Sequence, residues 1–274
     1  MAHDNGNDAA FHGYFSQRTK VPTGLVEVRF HNDGSQDHMA QFFKLNGDVS
    51  ESTVKTRLAA VFSASTPSAT VAALHALLDV ASAAGGADSI TPGASQDVIE
   101  RFTAGHYVVV CFDTTSNGTP HFLLGMFKGF WAVPGAWAPE DPGQPTAHGN
   151  PVSNGTVIEF DHKIVVPHQI SSHEPITLKI RVYDQTHEFQ LLKVPEHTTA
   201  SQLLQCFTGP QSSCALNAPP IDAGGAAAIA PGSTHWVELH LAPGTYAALC
   251  FVPDINTGMP HAFMGMITVF TVRK

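Results

Sequence analysis

The chain has 274 residues, 43% of them apolar and 14% charged, which suits two domains of middling size better than one ordinary sandwich. A formal charge of −9, with only 14 Lys plus Arg, excludes nucleic acid as a partner, because phosphate binding needs a basic face. No apolar run approaches the roughly 18 residues of a spanning helix, so no membrane span is expected; 23 Gly and 19 Pro favour short strands joined by turns.

Met1–Ala10 lacks the basic end and apolar stretch of a secretory signal, which leaves the compartment open. Leu25–Asn32 alternates apolar and polar residues and predicts a half-buried strand. After a turn, Asp37-His38-Met39-Ala40-Gln41-Phe42 reads as a second strand. Ser52–Ala60 and Thr70–Ala84 carry apolar residues at helical spacing. A β portion follows and ends near Val133. Pro134–Pro151 is rich in Pro and Gly and reads as linker plus loop. We place one domain at 1–140, a linker at 141–153 and a second domain at 154–274. The second half opens with strands at Thr156–Phe160 and Ile176–Val182. Thr186–Lys193 follows, and then a helical segment shortened to Thr199–Phe207. Trp236–Leu241 alternates, Gly244-Thr245-Tyr246 leads into Ala247–Phe251, and Ile267–Val272 closes the chain. The expected fold class is all-β: two tandem Greek-key β-sandwich domains, each with a helical insertion. Parallel α/β is excluded because helices do not alternate with strands.

The halves are related in sequence. Residues 104–133 read AGHYVVVCFDTTSNGTPHFLLGMFKGFWAV, and residues 243–272 read PGTYAALCFVPDINTGMPHAFMGMITVFTV. With one residue of gap they share Gly, Tyr, Cys, Phe, Asp, Gly, Pro, His, Gly, Met, Phe and Val in order, which marks a duplicated domain. Upstream, each copy has a strand, a turn, a His and an apolar strand. Each copy therefore carries four soft or borderline donors: His38, Cys111, His121 and Met126 in the first, His187, Cys250, His261 and Met266 in the second. Two imidazoles and a thiolate with a weak thioether are the donors of a mononuclear copper site that moves electrons. Such a site would tie distant strands together and contribute to folding.

The stretch Pro243–Val272 resembles the C-terminal end of the cupredoxins, the plastocyanin-like blue copper proteins. The shared pattern is a Pro-Gly-Thr-Tyr entry, a strand ending at Cys250, a loop to His261, then Gly265-Met266 and a final strand. The first copy keeps Cys111, His121 and Gly125-Met126. His38 and His187 fall where that family places its first copper His. The resemblance implies a copper cofactor at the eight residues named, type 1 electron transfer with a redox partner protein, and a periplasmic or secreted location. One feature departs from it: residues 112–120 and 251–260 make a longer Cys-to-His loop than simple cupredoxins have. Each doubling of loop length costs only about 0.6 kcal/mol. Pro120 and Pro260 stiffen the approach to each His.

Blander readings compete. A lone buried Cys is most often a small hydrophobe and a lone Met a core filler; the repetition in register is what favours copper. A copper carrier or storage protein would share every ligand, and a metal-free sandwich used for adhesion or assembly would keep Cys and Met as core. Copper enzymes built from the same domains need His-x-His pairs and His flanking the copper Cys. Here Val110, Phe112, Leu249 and Phe251 flank the cysteines and no His-x-His occurs, so the chain is expected not to be an enzyme. A redox partner would dock on an apolar patch from Phe122 and Leu123, or Ala262 and Phe263. Cys206 and Cys214 are either a small disulfide, implying an oxidising compartment, or two free thiols. His235 and His240 flank Trp236 and are expected at surface and edge. His12, His31, His106, His162, His168, His173 and His197 have no repeated partner and are assigned no role.

Overall fold

A computed structural model describes residues 2–3, 13–14, 19–135, 151–160, 162–167, 170–172, 175–208 and 214–274. A short hairpin, β1 (Ala2–His3) and β2 (Gly13–Tyr14), comes first. The first repeat contains β3 (Lys20–Pro22), β4 (Gly24–His31), β5 (His38–Leu45), α1 (Glu51–Ser63), α2 (Pro67–Leu78), β6 (Ala81–Ile90), β7 (Ser95–Phe102), β8 (Gly105–Val110), the short helix α3 (His121–Leu124) and β9 (Phe127–Val133). The second contains β10 (Gly155–Phe160), β11 (Lys163–Val165), β12 (Ile170–Ser171), β13 (Ile176–Val182) and β14 (His187–Val194). It continues with α4 (Ala200–Thr208), β15 (Ile221–Ile229), β16 (Thr234–Leu239), β17 (Gly244–Leu249), a 3-10 turn at His261–Met264, and β18 (Ile267–Arg273).

Among the described residues the other sixteen strands form two sheets, and both sheets run through both repeats. One has six strands in the order β11-β10-β13-β16-β7-β4; the other has ten in the order β12-β18-β17-β14-β15-β6-β5-β8-β9-β3. The repeats meet where equivalent strands pair antiparallel. On one face Val98 lies opposite Val237, and on the other Ala87 lies opposite Ala226. Main-chain ladders therefore hold the halves together; residues 141–150 of the expected linker lie outside the described residues. Between the sheets one apolar cluster contains Val98, Val237, Ala87 and Ala226 together with Cys111, Met126, Cys250 and Met266.

The helices cover the outer face of the ten-stranded sheet. Ser50 caps α1 by accepting from the Thr53 amide at 3.1 Å, and Thr66 caps α2 from the Ala69 amide at 3.3 Å, with Pro67 pre-set for the first turn. Val54, Leu58 and Leu77 pack on Phe43, Val108 and Val110. In the second repeat α4 does the same with Leu203 against Leu192 and Leu249. Strands β5 and β8 are thus buried on both faces. Each repeat also pins its Cys-bearing strand with a tyrosine: Tyr107 donates to the Thr103 carbonyl and Tyr246 to the Ala242 carbonyl, both at 2.9 Å.

Two expectations need correction. The helix predicted over Thr70–Ala84 ends at Leu78, and Ala81–Ala84 begins a strand. Ala- and Gly-rich sequence has little β propensity of its own, but here it lies between β5 and β15, where ladders on both edges decide. His235 is not at the surface: it is fully buried at the seam, 3.0 Å from Glu100. His240 is exposed, as expected. Cys206 and Cys214 form a disulfide, while Cys111 and Cys250 are free. Among the described residues no helix is long and apolar enough to cross a membrane.

Candidate metal centres

The four candidate donors of each repeat sit at the ends of four elements, and backbone hydrogen bonds draw three of them together. His38 opens β5, Cys111 follows β8, His121 opens α3 and Met126 precedes β9. The Cys111 amide donates to the Met126 carbonyl at 3.2 Å, the Phe122 amide to the Cys111 carbonyl at 3.1 Å, and the Met126 amide to the His121 carbonyl at 3.1 Å. The second repeat copies this clasp: Cys250 to Met266 at 3.3 Å, Ala262 to Cys250 at 2.7 Å and Met266 to His261 at 3.0 Å. The long Cys-to-His loops fold outward from it and are pinched shut by bridges between Thr114 and Pro120 and between Pro253 and Pro260. Their length leaves the Cys–His geometry unchanged between repeats. The glycine before each Met is required by its backbone, since Gly125 and Gly265 sit at φ 129° and 112° to end the short helical turn.

Two imidazoles and the thiol of each repeat converge. In the first repeat the His38 and His121 Nδ1 atoms are 3.1 Å apart, and Cys111 Sγ lies 3.8 and 3.6 Å from them. In the second the corresponding distances are 3.1, 3.9 and 3.4 Å for His187, His261 and Cys250. A first-row ion bound about 2.0 Å from nitrogen and about 2.3 Å from sulfur in a plane would separate the nitrogens by about 3.5 Å and nitrogen from sulfur by about 3.7 Å. The observed triangles fit within a few tenths of an ångström. Met126 and Met266 are fully buried in the interior that holds both cysteines.

The outer nitrogens set the tautomers. His121 Nε2 donates to Gln36 Oε1 at 2.9 Å and His187 Nε2 to Asp184 Oδ1 at 3.2 Å, which leaves each Nδ1 lone pair facing inward. Backbone amides of Met39 and Glu188 point at the sulfurs, both at 3.5 Å. Burial, then Asp113, pushes the Cys111 thiol up; burial, then Glu188 and Glu159, does so for Cys250. Without a cation the thiols keep their protons, and a metal must displace them. Burial first, then the neighbouring imidazoles, pushes His261 down to about 4, and burial lowers His187, so both rings are neutral and available as ligands.

No family model and no curated protein matches the chain. Among solved structures it is similar to an auracyanin from Roseiflexus castenholzii (22% identity over 43% of this chain and 94% of that one, TM-score 0.29). It is also similar to a copper nitrite reductase from Nitrosomonas europaea (12% identity, 99% and 92%, TM-score 0.27) and to the multicopper oxidase mgLAC (13% identity, 97% and 80%, TM-score 0.25). The two-sheet sandwich with its paired Cys-His-His sets and buried Met is cupredoxin-like, and its donor chemistry is that of copper.

The expectation that the chain is not an enzyme is withdrawn, because structures named as copper enzymes stand among those it matches over nearly its whole length. That expectation rested on missing His-x-His pairs and on the lack of His beside Cys111 and Cys250, local signals blind to sites assembled between repeats. One such space exists: a cavity of about 660 Å³ roofed by α1 and α2, reached by Phe112 and Asp113 after the first Cys and by Phe251 and Val252 after the second. Asp88, Asp113 and Glu188 also line it, and burial pushes Asp113 up to about 6 and Glu188 to about 7. The apolar patch expected at the loop His also needs correction: Phe122 and Ala262 are fully buried in the helix–sheet layers, and Leu123 is the exposed residue. Sequence reasoning missed Gln36, Asp184 and Asp254. Gln36 had a usable signal, because Gln36 and Gln185 each stand two residues before the first His of their repeat.

Proposed function

We propose that the chain is two cupredoxin domains, 1–140 and 154–274, and that each holds one copper ion and passes single electrons. The ligands are His38, Cys111, His121 and Met126 in the first domain and His187, Cys250, His261 and Met266 in the second. The observation that carries the reading is the pair of buried donor triangles, matched in both repeats and sized for a three-coordinate ion. Bound copper supplies a one-electron couple. The protein holds the two Nδ1 lone pairs and the sulfur in place through Gln36, Asp184 and the Met39 and Glu188 amides, keeps water out, and limits movement when charge changes. The carboxyls around the cavity would offset the added positive charge. A redox partner docks at Leu123, exposed beside His121. The Cys206–Cys214 disulfide supports a periplasmic or secreted location.

Copper(II) titration of the metal-free chain tests this. The expected result is an intense thiolate-to-copper visible band that grows to two equivalents. It halves in Cys111→Ser and in Cys250→Ser and vanishes in the double variant. Undiminished copper uptake by the double variant would overturn the ligand assignment.

A further inference from the structure

The two centres differ on the outer side of the loop histidine. In the first repeat Gln36 Oε1 accepts a hydrogen bond from His121 Nε2 at 2.9 Å. Its counterpart Gln185 does not reach His261. It donates to Asp254 Oδ2 at 2.7 Å and accepts from the Ile255 amide at 3.0 Å. His261 Nε2 is left fully buried with no hydrogen-bond partner among the described residues. Facing it are Asp254 Oδ2 at 3.9 Å and the ring of His162, whose Nε2 lies 3.6 Å from the same oxygen and also lacks a hydrogen-bond partner. The three donor atoms all lie within 4.8 Å of one another.

We infer that His162, Asp254 and His261 form a third cation site, for a borderline divalent ion such as Zn(II) or Cu(II), in which the His261 ring is shared with the second copper centre. This rests on the copper reading, since it assigns His261 Nδ1 to that centre. Two imidazole nitrogens and a carboxylate oxygen, with positions left open, are an established donor set for such ions. Donors about 2.0–2.2 Å from one ion stand roughly 3.4 Å apart, so the two spacings to Asp254 Oδ2, 3.6 and 3.9 Å, close with shifts of a few tenths of an ångström, and the two imidazole nitrogens start within 4.8 Å. The carboxylate is held in place by hydrogen bonds from Gln185 and from the Asn256 and Thr257 amides. Filling both ring nitrogens of His261 releases its last N–H proton to solvent. The resulting imidazolate and the Asp254 carboxylate then balance the added two positive charges.

The first repeat serves as an internal control. Its loop is capped at the position of Asp254 by Thr115, whose hydroxyl accepts from the Thr119 amide at 3.2 Å. Loop capping therefore does not need a carboxylate. Asp254 caps the loop through Oδ1, accepting from the Asn256 and Thr257 amides at 3.0 and 2.6 Å, while Oδ2, which accepts from Gln185 at 2.7 Å, is the oxygen that faces the two rings. His162 stands in the β10–β11 turn at φ 61°, a conformation that glycine or asparagine adopts with less strain. The residue found there is the one whose ring reaches Asp254.

The full chain, loaded with copper until the visible band is complete, would be titrated with Zn(II) and desalted, and its metals counted. Wild type is expected to hold two copper ions and one zinc with the band retained. His162→Ala and Asp254→Asn are expected to keep the band, which reports folding, and to bind that zinc at least tenfold more weakly. A complete band with no third ion, or a His162→Ala variant that still holds it, overturns this inference alone. Failure of the band to form in wild type overturns the copper reading beneath it.

Discussion

His235→Ala tests whether the two repeats are one cooperative structure. The imidazole is fully buried, with Nδ1 3.0 Å from Glu100 Oε1, and it joins β16 of one repeat to β7 of the other. The same oxygen accepts from the Gly86 amide at 2.6 Å, while Glu100 Oε2 has no partner among the described residues. Removing one member of a buried pair costs about 3–5 kcal/mol, because the other is left uncompensated. Burial already raises the Glu100 carboxyl despite its His partner, so protonation is within reach and the loss should fall near the lower end, about 3 kcal/mol. At about 2–4 °C per kcal/mol for a chain of this size, the melting temperature falls by about 6–12 °C. Urea unfolding followed by tryptophan fluorescence and by the copper band should give one coincident transition, shifted to lower urea. Replacing both residues, Glu100→Met with His235→Leu, should recover most of the loss. A loss below about 1 kcal/mol, a double variant no better than the sum of the single ones, or two separated transitions would refute the reasoning.

Glu100 also sets a pH dependence. Its folded-state value is raised, so its contribution is fully present below the ordinary value of 4.5 and is lost as pH rises through the folded value. Glu100→Gln should therefore gain on wild type as pH rises from 4 to 8, read by urea midpoints; a difference that does not change with pH would contradict the assignment. Gly265→Ala forces a side chain into φ 112°, where the nearest neighbour, the His162 carbonyl, leaves room at 3.7 Å but the backbone does not. Strain of about 1–3 kcal/mol should weaken the second centre and remove up to half the visible band, with the first centre intact. Replacing both Cys206 and Cys214 by Ala opens a loop closed at a sequence separation of 8, worth about 2–3 kcal/mol, and should lower the melting temperature without altering the band.

Much of the candidate site was legible because its proposed donors sit in a short motif that occurs twice. Cys111, His121 and Met126 lie on one strand–loop–strand connection, and Cys250, His261 and Met266 repeat it. Type and spacing survive in the chain whatever its three-dimensional path, and the Gly before each Met records a backbone angle directly. Alternation likewise predicted β4 and β16. Composition misjudged Ala81–Ala84 because a strand of small residues owes its state to the neighbours on either edge.

The amino-acid sequence by itself determined the duplication, the all-β class and the four donor types in each copy, since these depend on local pattern and on chemistry carried by single side chains. Only the tertiary structure decided that the sheets run unbroken through both repeats, that His235 is buried against Glu100, and that the outer nitrogen of His121 meets Gln36 while that of His261 meets Asp254 and His162. Those outcomes depend on which distant backbone groups pair and which side chains then share a few ångströms, and nothing in linear spacing encodes such distances.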